Sequence, residues 1–132
     1  MRKRLLDFME HLQRQEFYYE DDEQWKFADG SAAALCTSSA LLVAEQFGGA
    51  VLGYYSIDNP TAAIGLPDLE GHDFALIGNR WLIDYWAWRV TRITSTPILD
   101  LNDHAELSIV HQLYGPESQW SLVHCFINVT PS

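Results

Sequence analysis

The stretch "GHDFALIGNRWLIDYW", Gly71 to Trp86, decides how this chain folds. Two runs of aliphatic and aromatic residues flank Gly78-Asn79, a pair that readily takes the positive φ angles of a tight hairpin turn. We read two antiparallel strands, with His72 near the start of the first and Asp84 near the end of the second. Side chains alternate across a sheet, so the length of the turn decides whether His72 and Asp84 share a face. A two-residue loop at Gly78-Asn79 sets Asp73 opposite Asp84 and sends His72 and Asp84 to opposite faces. A three-residue loop such as Ile77-Gly78-Asn79, with Asn79 left-handed, or a bulge, puts them on the same face. The apolar pattern fits both registers. The second strand has the composition to run on through "AWRVTRI", Ala87 to Ile93.

On the N-terminal side of the hairpin, "SAAALCTSSALLVAEQF" (Ser31 to Phe47) is rich in Ala and Leu and ends at Gly48-Gly49. Those glycines are a helix stop, and because the segment is apolar nearly all round it is expected as a core helix. Earlier still, Leu5, Phe8, Met9 and Leu12 recur at helical spacing between Arg4 and Phe17, the pattern of an amphipathic helix. "AVLGYYS" from Ala50 has strand composition, and "IDNPTAAIGLPDLEG", with two prolines, is a loop of the kind that borders sites. On the C-terminal side, "NDHAELSIVHQLY" is a helix, with Asp103 and Glu106 spaced as a capping box and Gly115-Pro116 ending it. "WSLVHCFINV" from Trp120 is a last strand. The order helix, helix, strand, strand, strand, helix, strand implies α+β, an antiparallel sheet packed against a buried helix that bears Cys36.

The chain has 132 residues and reads as a single domain spanning 1–132, large enough to build a core without disulfides or metal. Eighteen Asp plus Glu against eight Lys plus Arg leave a formal charge of −10. Such a charge repels phosphate backbones and anionic membranes, so neither nucleic acid nor membrane is an expected partner. The start "MRKR" is followed by "LLDFMEHLQRQEF", too polar for a signal peptide, and no run is long enough to span a membrane. A cytoplasmic location is the expectation. Two cysteines, Cys36 and Cys125, fit thiols in a reducing compartment, with a Cys36–Cys125 bridge as the alternative that would remove a nucleophile.

A thiol becomes a useful nucleophile when a neighbouring imidazole lowers its pKa, and the imidazole works best when a third group holds it. Cys36 on the apolar helix, His72 at the head of a strand and Asp84 in "WLIDYW" are those types, in that order. This arrangement resembles the papain-like cysteine fold, closest to its transglutaminase-like, arylamine-acetyltransferase-like and cysteine-protease-like toxin branches. In those families the histidine strand leads through a turn into a run closing on "VD" or "ID", matched here by "RWLID", Arg80 to Asp84. The resemblance covers roughly Ser31 to Trp86. It implies a catalytic triad of Cys36, His72 and Asp84 acting on an amide, as peptidase, amidase, glutamine deamidase or acyl transferase, through an acyl-thioester. It implies no cofactor and no metal. A peptide or protein amide is the implied substrate, with a basic protein as one form of it. For the oxyanion hole, Gln24 and the backbone N–H of Cys36 are the candidates.

Taken one at a time these residues have plainer roles. A Cys among Ala and Leu is often simple core, and Asp84 suits the cap of a turn or a partner for Arg80 or Arg89. His104 and His111 share a helical face and His124 adjoins Cys125, but none has a ligand cluster of metal spacing around it. Glu20-Asp21-Asp22-Glu23 reads as a solvated loop. A second function class, a non-catalytic acidic binding or immunity-type protein that captures a basic partner, fits the charge and the aromatic surplus.

Overall fold

The computed structural model describes residues 1–14, 35–65 and 69–126. Helix α1 (Arg2–Arg14) buries Leu5, Met9 and Leu12, one stripe of an amphipathic helix, with Phe8 partly buried beside it. Helix α2 (Leu35–Phe47) buries Cys36, Ser39, Ala40, Val43 and Ala44 while Leu42, Glu45 and Gln46 stay exposed. It is therefore covered on one face rather than all round as its composition suggested. Gly48 stops it with a φ of 70°, and Gly49 N donates to Ala44 O at 2.8 Å, the Schellman pattern. The expected start at Ser31 and the expected end of α1 at Phe17 lie outside the described residues, as do Gln24 and the Glu20–Glu23 run.

Strands β1 (Ala50–Tyr55), β2 (Gly71–Ile77), β3 (Trp81–Ile83), β4 (Ile98–Asp100) and β5 (Ser121–Cys125) form one antiparallel sheet in the order β4-β3-β2-β1-β5. With its helices this makes the protein α+β. The hairpin pairs Ile77 with Trp81. Gly78 and Asn79 both have positive φ, 61° and 54°, and Arg80 N closes the turn on Ile77 O at 3.1 Å. The loop is thus Gly78-Asn79-Arg80. It is odd in length, one position later than the three-residue loop drawn from the sequence, and His72 and Asp84 fall on the same parity.

The second strand does not continue past Ile83. Asp84 N donates to Pro97 O at 2.9 Å, and Asp84 Oδ1 accepts from Ala87 N at 2.9 Å. That side-chain cap bends the chain into a wide helical turn over Trp86–Val90, so the run from Ala87 to Ile93 is not strand. The chain returns as β4, a three-residue strand too short to show periodicity in "PILD". Helix α3 (His104–Tyr114) starts where the capping pattern placed it, with Asp103 Oδ1 accepting from Glu106 N at 3.0 Å. The Glu106 carboxylate does not reach back to its cap. It takes Arg2 instead, with both oxygens 2.9 Å from Nη2, and ties α1 to α3.

Candidate functional site

The ring of His72 is wholly enclosed. Trp86 lies 4.8 Å from it, Tyr114 stacks nearly parallel at 5.9 Å, and Phe74 and Tyr54 close two further sides at 6.4 Å each. An ionisable group in such a shell needs partners. Nε2 has one, Asp84 Oδ2 at 2.6 Å. The same oxygen accepts the Tyr114 hydroxyl at 2.7 Å, and Oδ1 holds Ala87 N, so both carboxylate oxygens are engaged. Neither Arg80 nor Arg89 is the partner; Arg80 pairs with Asp100 at 2.9 Å.

Burial on its own pulls the His72 pKa down, but the charge and hydrogen bond of Asp84 outweigh it, with further help from Cys36. The net effect is a strong rise, and His72 with Asp84 forms an imidazolium–carboxylate pair inside the protein. Nδ1 is buried and makes no hydrogen bond of ordinary geometry. With Nε2 committed to Asp84, Nδ1 is the ring nitrogen left to face the Cys36 thiol, whose hydrogen bonding and charge act on the ring.

Cys36 is the second residue of α2 as described and is 9% exposed. Its Sγ lies 3.8 Å from Thr37 Oγ1, which donates to Asp73 Oδ2 at 2.6 Å. Tyr54, opposite His72 in the β1–β2 register, donates its hydroxyl to Ile64 O at 2.6 Å. Burial, then the charges of Asp84 and Cys36, raise its pKa, and burial with Asp84 does the same for Tyr114. A groove of about 640 Å³ opens here, with Cys36, His72, Tyr54, Asp73, Leu122 and Val123 among its lining residues.

The structure thus gathers Cys36, His72 and Asp84 around one imidazole. Tyr114 was absent from the sequence-derived set, as were Thr37 and Asp73. A tyrosine at the end of an amphipathic helix carries no signal of its own, and its contact with Asp84 spans 30 positions. Cys36 and Cys125 are not bridged; Cys125 stands exposed on β5 opposite Ala50. His111 pairs with Glu117 at 2.8 Å, and among the described residues no three His, Cys, Asp or Glu side chains cluster as a metal site. No helix among them is long and apolar enough to cross a membrane. No protein-family model matches the chain, nor does any curated protein or solved structure.

Proposed function

We propose that this protein is a cysteine enzyme of papain-like type that attacks an amide carbonyl through Cys36, His72 and Asp84. One observation carries the reading: His72 gives Nε2 to a fully engaged carboxylate and keeps its buried Nδ1 for the Cys36 thiol, whose hydrogen bonding and charge act on the ring. Asp84 holds the ring by Nε2 and supports its positive charge, so the proton that matters sits on Nδ1. With His72 already the imidazolium, Cys36 attacks as the thiolate of that pair, and its sulfur adds to the carbonyl carbon. The tetrahedral adduct collapses as Nδ1–H protonates the leaving nitrogen, and a thioester remains on Cys36. A second nucleophile, water for hydrolysis or deamidation and an amine for transfer, then gives its proton to Nδ1 and releases the acyl group. Asp84 remains a carboxylate throughout. The Cys36 N–H, in the first turn of α2, is the oxyanion donor in this scheme. The antiparallel sheet with the Cys36 helix against it supports a papain-like core.

The test is the rate of Cys36 alkylation by iodoacetamide against pH in a Cys125→Ser background, with and without His72→Ala and Asp84→Asn. A thiol that reacts well below pH 8 and loses that reactivity in both variants supports the triad, provided circular dichroism shows them folded. A thiol inert at every pH, or indifferent to both changes, overturns it. A second reading, the non-catalytic acidic binding protein, draws on the 9% exposure of Cys36 and takes over in that event.

A further inference from the structure

Consecutive residues of β2 serve consecutive residues of α2. His72 acts on Cys36, and Asp73, the next residue along, accepts the Thr37 hydroxyl on Oδ2 at 2.6 Å. That distance belongs to a hydroxyl giving its hydrogen to a charged carboxylate, one of the stronger hydrogen bonds a protein makes. Thr37 Oγ1 also lies 3.8 Å from the Cys36 sulfur. A hydroxyl has a single hydrogen to give. The shorter contact takes it, so Thr37 turns lone pairs, not a donor, towards the sulfur. Asp73 is firmly placed for this. Gly53 is its partner across β1 and β2, and Asp73 Oδ1 stands where a Cβ on Gly53 would be, so the missing side chain makes its seat. No lysine or arginine among the described residues lines the groove to draw the carboxylate away from Thr37.

We propose that Asp73 is a positioning residue for Cys36: it takes the only hydrogen of the Thr37 hydroxyl and so keeps that hydroxyl from bonding to the thiolate paired with His72. This rests on the proposed thiol chemistry and adds a control on the nucleophile. A hydrogen bond to a thiolate favours its formation but weakens its attack, because nucleophilicity falls with basicity. With the Thr37 hydrogen withheld, the sulfur stays the stronger nucleophile while the buried imidazolium supports its charge. Asp73 exerts this effect through Thr37, one side chain removed from the reacting atom.

Iodoacetamide alkylation of Cys36 against pH in the Cys125→Ser protein gives two readouts, the pH midpoint of the rise in rate and the plateau rate above it. Asp73→Ala frees the Thr37 hydrogen for the sulfur. The midpoint should then fall by about one pH unit while the plateau rate drops about threefold, as a Brønsted slope near 0.4–0.5 requires. Mere loosening of the site would lower the rate and raise the midpoint. Deleting a carboxylate charge also lowers the midpoint, and Thr37→Val isolates that part: in its background Asp73→Ala should shift the midpoint much less. In a Thr37→Ser background, which keeps a hydroxyl, the full shift should return. Thr37→Val alone decides the matter if Asp73→Ala fails to fold. Its midpoint should hold or fall, whereas a rise would show that Thr37 donates to the sulfur and would overturn the proposal. An Asp73→Ala shift of equal size with and without the hydroxyl would overturn it too. Failure of the enzyme reading would look different: the midpoint of the Cys125→Ser protein would not move in His72→Ala.

Discussion

His72 Nε2 and Asp84 Oδ2 meet at 2.6 Å although the two residues are not cross-strand partners. The β2–β3 ladder ends at Ala75 and Ile83, and its register sums would place Phe74, not His72, across from Asp84. The two side chains reach each other diagonally because they share a face, and they share a face because Arg80 is an extra residue in the turn. Deleting Arg80 leaves Ile77 joined to Trp81 by Gly78-Asn79 alone, whose positive φ angles suit a two-residue turn, so the register and the burial of Leu82 are kept. The deletion loses the Arg80–Asp100 pair, and we expect it to cost within about 1 kcal/mol of Arg80→Ala by urea denaturation. A loss above about 3 kcal/mol, the scale of removing a buried leucine, would show that β3 had slipped.

Stability should fall with rising pH through the titration of His72. Folding raises that pKa from its ordinary 6.5 to about 10; burial opposes the rise, and Asp84 followed by Cys36 overcomes it. The folded state then holds a proton the unfolded chain has lost, so the contribution is complete below pH 6.5 and gone once pH passes about 10. Tyr54 and Tyr114, whose pKa values are raised above 10, add their own loss only beyond that window. Urea midpoints across this range should decline in the wild type and flatten in Asp84→Asn. At pH 6 that variant should already be less stable by about 3 kcal/mol, since it leaves a buried imidazole without its counter-charge.

Tyr114→Phe removes one hydroxyl and leaves the ring that stacks on His72. Asp84 Oδ2 loses a donor at 2.7 Å. A hydrogen bond to a buried carboxylate contributes about 1.5–3 kcal/mol, and a loss of that size is expected in chemical denaturation. The carboxylate charge, less shared, should grip His72 more strongly, so the imidazole should titrate higher still by NMR. A fall in that titration would count against the shared oxygen.

Acid stability should depend on Asp100. The hydrogen bond from Arg80 is the largest influence on it, and with the Asn102 backbone N–H and the charge of Arg2 it outweighs desolvation and holds the carboxyl at about 2. A depressed carboxylate pKa stabilises the fold above its ordinary value near 3.8 and loses that effect as pH drops towards 2. Arg80→Gln should weaken the dependence between pH 4 and pH 2, with little change to it at pH 7 and above, when followed by circular dichroism.

Gly53→Ala should unseat Asp73. The added methyl would occupy the place of Asp73 Oδ1 and stand 3.1 Å from His72 O, so Asp73 must leave Thr37. A cost of about 1–3 kcal/mol is expected for such crowding. Combining it with Asp73→Ala should cost less than the sum of the two, because the second change removes the obstacle. Simple additivity in a double-mutant cycle would show that the two residues do not compete for that space.

Local chemistry in the chain determined much of this protein. Leu5, Met9 and Leu12 mark one face of a helix by spacing alone, Gly48 and Gly115 stop helices because their φ angles are positive, and Asp103 caps α3 with its own oxygen. The hairpin around Gly78-Asn79 was legible for the same reason, as were Cys36, His72 and Asp84 as groups worth following. Each of these depends on neighbours within a few residues. Only the tertiary structure decided the parity of the turn, because both registers buried apolar side chains equally well in sequence. It also decided that Asp84 would cap the turn at Ala87, ending a run that had strand composition, and that β4 would find β3. Tyr114 reached Asp84 across 30 positions, and Asp73 found its seat on Gly53 of another strand. Those choices rest on long-range packing and on satisfying buried charges, energies that exist only once distant parts of the chain have met.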